Sequence, residues 1–198
     1  MTARWTSAPE LDRERHPTIL TRASGPLHAI DLRRAIILTR IAIYAGSFDP
    51  ITHGHEDIMV RSLEFVDRLV VAVATNVPKQ PLFSVQERVD LVRAAMAKHP
   101  RIEVRSFDGL LVDFARATGA SLLIRGLRAV SDFEYEYQMA LMNRHLSQRL
   151  ETIFMIPSLD TTYISASLVR EVARFGGDVS ALVHPEVSRA LRAKFGRA

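Results

Sequence analysis

Apolar positions along this chain fall into two kinds of run. Short, nearly continuous ones read RIAIYA (40–45), RLVVAVAT (68–75), RIEVRSF (101–107), SLLIRG (121–126) and ETIFMIP (151–157). Each has strand length, so each predicts a β-strand. Between them lie GHEDIMVRSLEFV, SVQERVDLVRAAMAKH, LLVDFARATG and SDFEYEYQMALMNRHLS. The second places Val85, Val89, Val92 and Met96 at i, i+4, i+7 and i+11, the spacing of one helix face. After the fifth strand, ISASLVREVARFG and PEVSRALRAKFG predict two more helices, each ending at glycine. Strands that alternate with helices in this way predict an α/β fold, a doubly wound and mostly parallel five-stranded sheet. Residues 1–38 keep no period of 2 or 3.6 and hold Pro9, Pro17 and Pro26. They are expected to be a disordered N-terminal arm, with one domain over 39–198.

That architecture says where chemistry belongs. Ligands of open α/β sheets sit beyond the carboxyl ends of the strands. After the first strand comes GSFDPITHGH, in which Gly46, Ser47 and Phe48 lead to Gly54 and His55 where a helix should begin. A helix start offers free N–H groups and partial positive charge, both suited to phosphate, and a histidine there can donate to the same anion. After the second strand Lys79 is a cation between two prolines, and after the fourth Arg125 and Arg128 flank Gly126. The two arginines suit phosphate oxygens, or alternatively salt bridges to Asp132, Glu134 or Glu136. After the fifth come Pro157 and Ile164-Ser165-Ala166-Ser167, a helix start with hydroxyl caps. Four loops at one sheet edge therefore converge as a cradle for a polyphosphate. Neither G-x-x-x-x-G-K-[ST] nor G-x-G-x-x-G is present, and His53-x-His55 has no obvious third ligand, so no protein-held metal is expected.

Composition narrows the partners. The isoelectric point near 9.8 suggests nucleic acid. The excess, however, sits in residues 1–40, where seven Arg oppose four acids; the remaining 158 residues carry 19 basic and 18 acidic groups. A nearly neutral body argues against nucleic acid as a partner. No apolar run reaches the ~18 residues of a membrane helix, so no membrane partner is expected either. The chain has no cysteine, which excludes disulfides, thiolate metal sites and a Cys nucleophile, and fits a cytoplasmic setting. No early apolar run suggests a secretory signal, and Glu10, Asp12 and Glu14 argue against a transit peptide.

Thr52-His53-Gly54-His55 with ISASLVR resembles the paired [HT]-x-G-H and I-S-S-[ST]-x-x-[RK] signatures of the nucleotidyltransferase superfamily. The block LIRGLRAVSDFEYEYQMALMNRHL closely resembles bacterial phosphopantetheine adenylyltransferase, a likeness that runs from about Arg40 to Ala193. The resemblance implies a Rossmann-like nucleotidyltransferase fold. It further implies an enzyme that makes dephospho-coenzyme A and pyrophosphate from ATP and 4′-phosphopantetheine, with magnesium, as a homohexamer. By position, Ser47 would bind the pantetheine phosphate and His55 the α-phosphate of ATP. Lys79 and Arg125 would contact phosphates and substrate, and Arg128 and Glu136 the ATP phosphates and ribose. Leu111 and Asn143 would line the pantetheine arm, while Pro157, Tyr163, Ile164 and Ser167 would hold adenine and phosphate. His55, Lys79 and Arg128 would carry catalysis. Ala166 stands where a serine is common, which leaves that hydroxyl's role open. Two rival readings remain: another adenylyl- or cytidylyltransferase, such as one acting on nicotinamide mononucleotide, and a non-catalytic nucleotide- or RNA-binding regulator.

Overall fold

The computed structural model describes residues 39–76 and 80–196; the N-terminal arm and Lys79 lie outside the described residues. Five strands form one parallel sheet: β1 (Ile41–Gly46), β2 (Arg68–Ala74), β3 (Ile102–Phe107), β4 (Leu122–Gly126) and β5 (Glu151–Met155), in the spatial order β3-β2-β1-β4-β5. Six helices connect or follow them: α1 (His53–Ser62), α2 (Val85–Ala95), α3 (Leu111–Thr118), α4 (Val130–Leu146), α5 (Ala166–Arg174) and α6 (Pro185–Lys194). The doubly wound sheet expected from the alternation is present.

Burial explains why the central strands read as continuous apolar runs. Successive residues of β1 point to opposite faces, and both faces are covered. Ala42 and Tyr44 pack with Leu69, Val71, Ile58, Met59, Val92, Val187 and Leu191 on one side. Ile43 and Ala45 pack with Val70, Ala72, Leu123, Val112 and Ala115 on the other. β3 lies at one edge and admits charge: Glu103 pairs with Arg105 at 2.6 Å and with Arg68 at 3.5 Å.

Strand order creates the site. The chain leaves β1 toward β2 on one side, and β4 then returns to β1's other side. The loops after β1 and β4 therefore diverge and leave a crevice at the carboxyl end of the sheet. Gly126 closes the packing just beneath it. A Cβ there would lie 2.5 Å from Ile58 Cδ1 and 3.3 Å from the Tyr44 hydroxyl, so only glycine lets β4 end this close to α1.

α4 departs from the usual pattern. Its apolar residues face every direction, and Val130, Phe133, Tyr135, Tyr137, Leu141, Met142 and Leu146 are exposed. Ile156 and Leu159, after β5, are also exposed.

Candidate active site

The crevice is a cleft of about 480 Å³, within the range of small-ligand sites. Its walls bring together Gly46, Ser47, Phe48, His55, Arg125, Arg128, Glu136, Pro157, Ile164, Ser165 and Ser167, from the ends of β1 and β4, the loops after β1, β4 and β5, and helices α1, α4 and α5. Tyr163 is exposed and does not line it. Leu111 packs at the start of α3, and Asn143 is buried on α4; neither reaches the cleft in the single chain.

His55 is set by the residue that begins its helix. Thr52 is the N-cap of α1, and its backbone N–H donates to His55 Nδ1 at 3.1 Å. A backbone N–H can only donate, so Nδ1 accepts and the ring proton of neutral His55 sits on Nε2. The ring packs edge-on against Phe48, with centroids 5.2 Å apart, and lies 6.4 Å from Tyr44. Burial lowers its pKa to about 4, and the positive charge of Arg128 pushes the same way. His55 is thus a neutral hydrogen-bond donor at physiological pH. That coupling also puts Arg128 and His55 in one field, although they lie 73 positions apart in sequence. His53, two residues earlier, approaches Glu56 at 3.3 Å and does not line the cleft.

Both arginines after β4 have partners within the protein. Arg125 forks onto Glu136, Nε to Oε2 at 2.6 Å and Nη2 to Oε1 at 2.5 Å, and donates to the Ala45 carbonyl at 2.6 Å. Burial works against its charge, but the hydrogen bond and negative charge of Glu136 outweigh that and raise its pKa. Arg128 Nε meets Asp132 at 3.2 Å and is more open to solvent. Arg125 is thereby held rigid from β4 to α4, whereas Arg128 keeps an accessible guanidinium. The carboxylates lining the cleft, Asp132 and Glu136, are each taken by an arginine, and no described cluster of three His, Asp or Glu is placed to hold a metal.

The far wall is the start of α5. Ser165 is its N-cap and accepts from the Leu168 N–H at 3.1 Å; its hydroxyl also meets that of Ser167 at 3.1 Å. Pro157 is carried on a turn fastened to α1: Asp57 accepts from the Ser158 N–H at 3.0 Å, and Arg61 donates to the Ile156 carbonyl at 2.9 Å. Gly54 lets this segment come close, because a Cβ there would lie 3.1 Å from the Thr161 carbonyl.

Sequence reasoning missed three participants. Tyr44 forms part of the floor, and burial pushes its phenol above the ordinary range, so it stays protonated. Thr52 orients His55, which its place at the head of the [HT]-x-G-H motif could have signalled. Arg170 lines the cleft from α5 and occupies the last position of ISASLVR, a basic position of that motif. It donates to the Asp49 carbonyl and pairs with the Asp49 carboxylate at 3.4 Å. Asp49 in turn accepts from the Leu82 and Phe83 N–H groups, both at 2.9 Å.

Comparison with known proteins agrees with this arrangement. The cytidylyltransferase-like family profile matches residues 43–172. A phosphopantetheine adenylyltransferase of Anaeromyxobacter dehalogenans is 55% identical over 160 residues, 81% of this chain and 98% of that protein. One from Bordetella pertussis is 53% identical over 78% of this chain and 91% of its own length. Among solved structures, the Plasmodium falciparum nicotinic acid mononucleotide adenylyltransferase complexed with NaAD superposes with a TM-score of 0.58 at 16% identity, covering 80% of this chain and 96% of that one, a likeness of fold. Motif, cleft and sequence relatives agree: the chain belongs to the phosphopantetheine adenylyltransferase family of nucleotidyltransferases.

Proposed function

We propose that this protein transfers AMP from ATP to 4′-phosphopantetheine, forming dephospho-coenzyme A and releasing pyrophosphate. The observation that carries the reading is His55, its proton fixed on Nε2, sharing one cleft with Arg128 and the α5 N-terminus in a chain 55% identical to a relative named for that activity.

An oxygen of the acceptor phosphate attacks the α-phosphorus of ATP in line. The new P–O bond forms as the bond to the bridging oxygen breaks, and pyrophosphate departs with those electrons. No protein nucleophile is needed, so catalysis rests on positioning and on neutralising charge where it develops. His55 Nε2–H donates to the α-phosphate and remains a donor through the step. Arg128 holds the leaving pyrophosphate, helped by Ser167 and the free N–H groups of α5. Ser47 aims the acceptor phosphate, with Lys79 as a further cation. Arg125, immobilised by Glu136, gives the substrate end a fixed positive wall.

Magnesium fits as part of the substrate. With both cleft carboxylates paired to arginine, the donor set offers it no protein cage, and it would ride on the nucleotide phosphates as Mg–ATP. A chelator is therefore expected to stop turnover and leave Tm unchanged; a fall in Tm would reveal a resident metal.

Incubation with ATP, Mg²⁺ and 4′-phosphopantetheine should yield dephospho-coenzyme A by mass spectrometry and one pyrophosphate per product. Turnover of nicotinamide mononucleotide instead would favour the rival transferase. Binding of ATP without turnover would favour the regulator. The exposed apolar faces of α4 support self-association, with a hexamer as the family expectation. A cytoplasmic setting, where ATP is available, goes with the reaction.

A further inference from the structure

Arg88, on the first turns of α2, is fully buried, yet no carboxylate hydrogen-bonds it. Its partners are three backbone carbonyls. Nη1 donates to Ser47 O at 2.7 Å and Ala74 O at 2.9 Å, and Nε donates to Phe83 O at 3.2 Å. Nη2 has no partner among the described residues. Burial pushes its pKa down, and the charge of Asp49 opposes that.

The location of those carbonyls is the significant point. The β1–β2 ladder ends at the pair Gly46 and Val73. Ser47, just past β1, and Ala74, the last residue of β2, follow that pair, so both lie beyond the end of the β1–β2 ladder, although Ala74 still pairs with Phe107 of β3. One guanidinium nitrogen takes both of their carbonyls. Phe83 stands just before α2, so one side chain joins the ends of β1 and β2 to the start of α2. A cation whose hydrogen bonds all go to neutral carbonyls is an expensive way to hold backbone, because burial disfavours the charged form. A planar fork with donors in fixed directions is what three divergent carbonyls require, and lysine cannot supply it.

We propose that Arg88 is a positioning residue for the acceptor side of the cleft, setting the backbone at Ser47 against the end of β2 and the start of α2. The proposal rests on the reading of Ser47 as the group that aims the acceptor phosphate. Arg88 does not line the cleft and acts through Ser47.

The test is Arg88→Lys, which keeps the charge and loses the fork. With wild-type turnover established first, kcat/KM for 4′-phosphopantetheine should fall tenfold or more. The calorimetric Kd of a non-hydrolysable ATP analogue should stay within threefold. Ser47→Ala should cost much less in the Arg88→Lys background than in wild type, because the two act on one feature. A lower Tm with unchanged kinetics, or equal losses on both substrates, would overturn the proposal. Should the variant not fold, the unmodified protein still decides: the Arg88 Nε–H resonance should shift with 4′-phosphopantetheine and not with the ATP analogue, and a resonance indifferent to the acceptor sinks the idea. Absence of wild-type turnover, by contrast, counts against the assigned reaction.

Discussion

At the scale of single residues, the Thr52–His55 contact decides most. It fixes the ring proton, and burial with Arg128 holds the imidazole neutral, so His55 donates without titrating in the physiological range. His55→Ala should reduce kcat by about 10²–10³, the usual loss for one preorganised donor, with the fold retained by circular dichroism. His53→Ala should be mild, because that ring faces Glu56. The pH dependence has a definite sign. With a folded value of about 4 against about 6.5 unfolded, the unfolded state takes up the proton first on acidification. This contribution is flat above pH 6.5, removes stability as pH falls from 6.5 to about 4, and is complete below that. Tm plotted against pH should thus fall less steeply in His55→Gln than in wild type across that window. A wild-type kcat/KM profile with an inflection near 6.5 that vanishes in His55→Gln would contradict a neutral donor. The sequence displayed His55 because its motif is local. It could not display Arg125 forked onto Glu136, since the same residues read as phosphate contacts with a salt bridge as the alternative, and only the distances show the fork.

Among the elements, the close approaches at Gly54 and Gly126 set the shape of the cleft. Gly126→Ala puts a Cβ 2.5 Å from Ile58 Cδ1, an atom buried between α1 and β4. Ile58 must shift within a filled core, at a cost of about 1–3 kcal/mol in denaturant unfolding; an unchanged midpoint would mean the space exists. Strand and helix positions were legible because period 2, period 3.6 and turn residues are local signals: RLVVAVAT is β2 to within one residue, and the α2 spacing is the buried face. Strand order was not legible. Nothing in residues 40–126 says that β4 returns beside β1, and the Asp49 carboxylate reaching Leu82 and Phe83 spans more than thirty positions. Arg88 was likewise unreadable, since an arginine in a helix looks solvated until its helix packs over the ends of β1 and β2. Lys79 remains an expectation from the sequence.

For the whole molecule, the unresolved tension is α4. Polar and apolar residues are mixed all round this helix, and Tyr135, Tyr137, Leu141 and Met142 are each about half exposed, with Ile156 and Leu159 exposed as well. Large exposed apolar side chains in such number on one helix and the loop after β5 fit an interaction surface. The hexamer expected from the family resemblance would supply one cover, a second copy of this chain, and the near-neutral body opposes association only weakly. Asn143, the buried polar residue of α4, and Leu111 at the head of α3 stay outside the single-chain cleft. Light scattering should give a mass several times 22.2 kDa. Leu141→Glu, which adds charge to an exposed position and removes nothing from the core, should lower that mass without unfolding the domain. If substrate binding needs the assembled faces, KM for 4′-phosphopantetheine should rise in the dissociated variant while His55-dependent chemistry persists. A monomeric wild type at micromolar concentration would leave α4 as a bare apolar surface in need of a different partner.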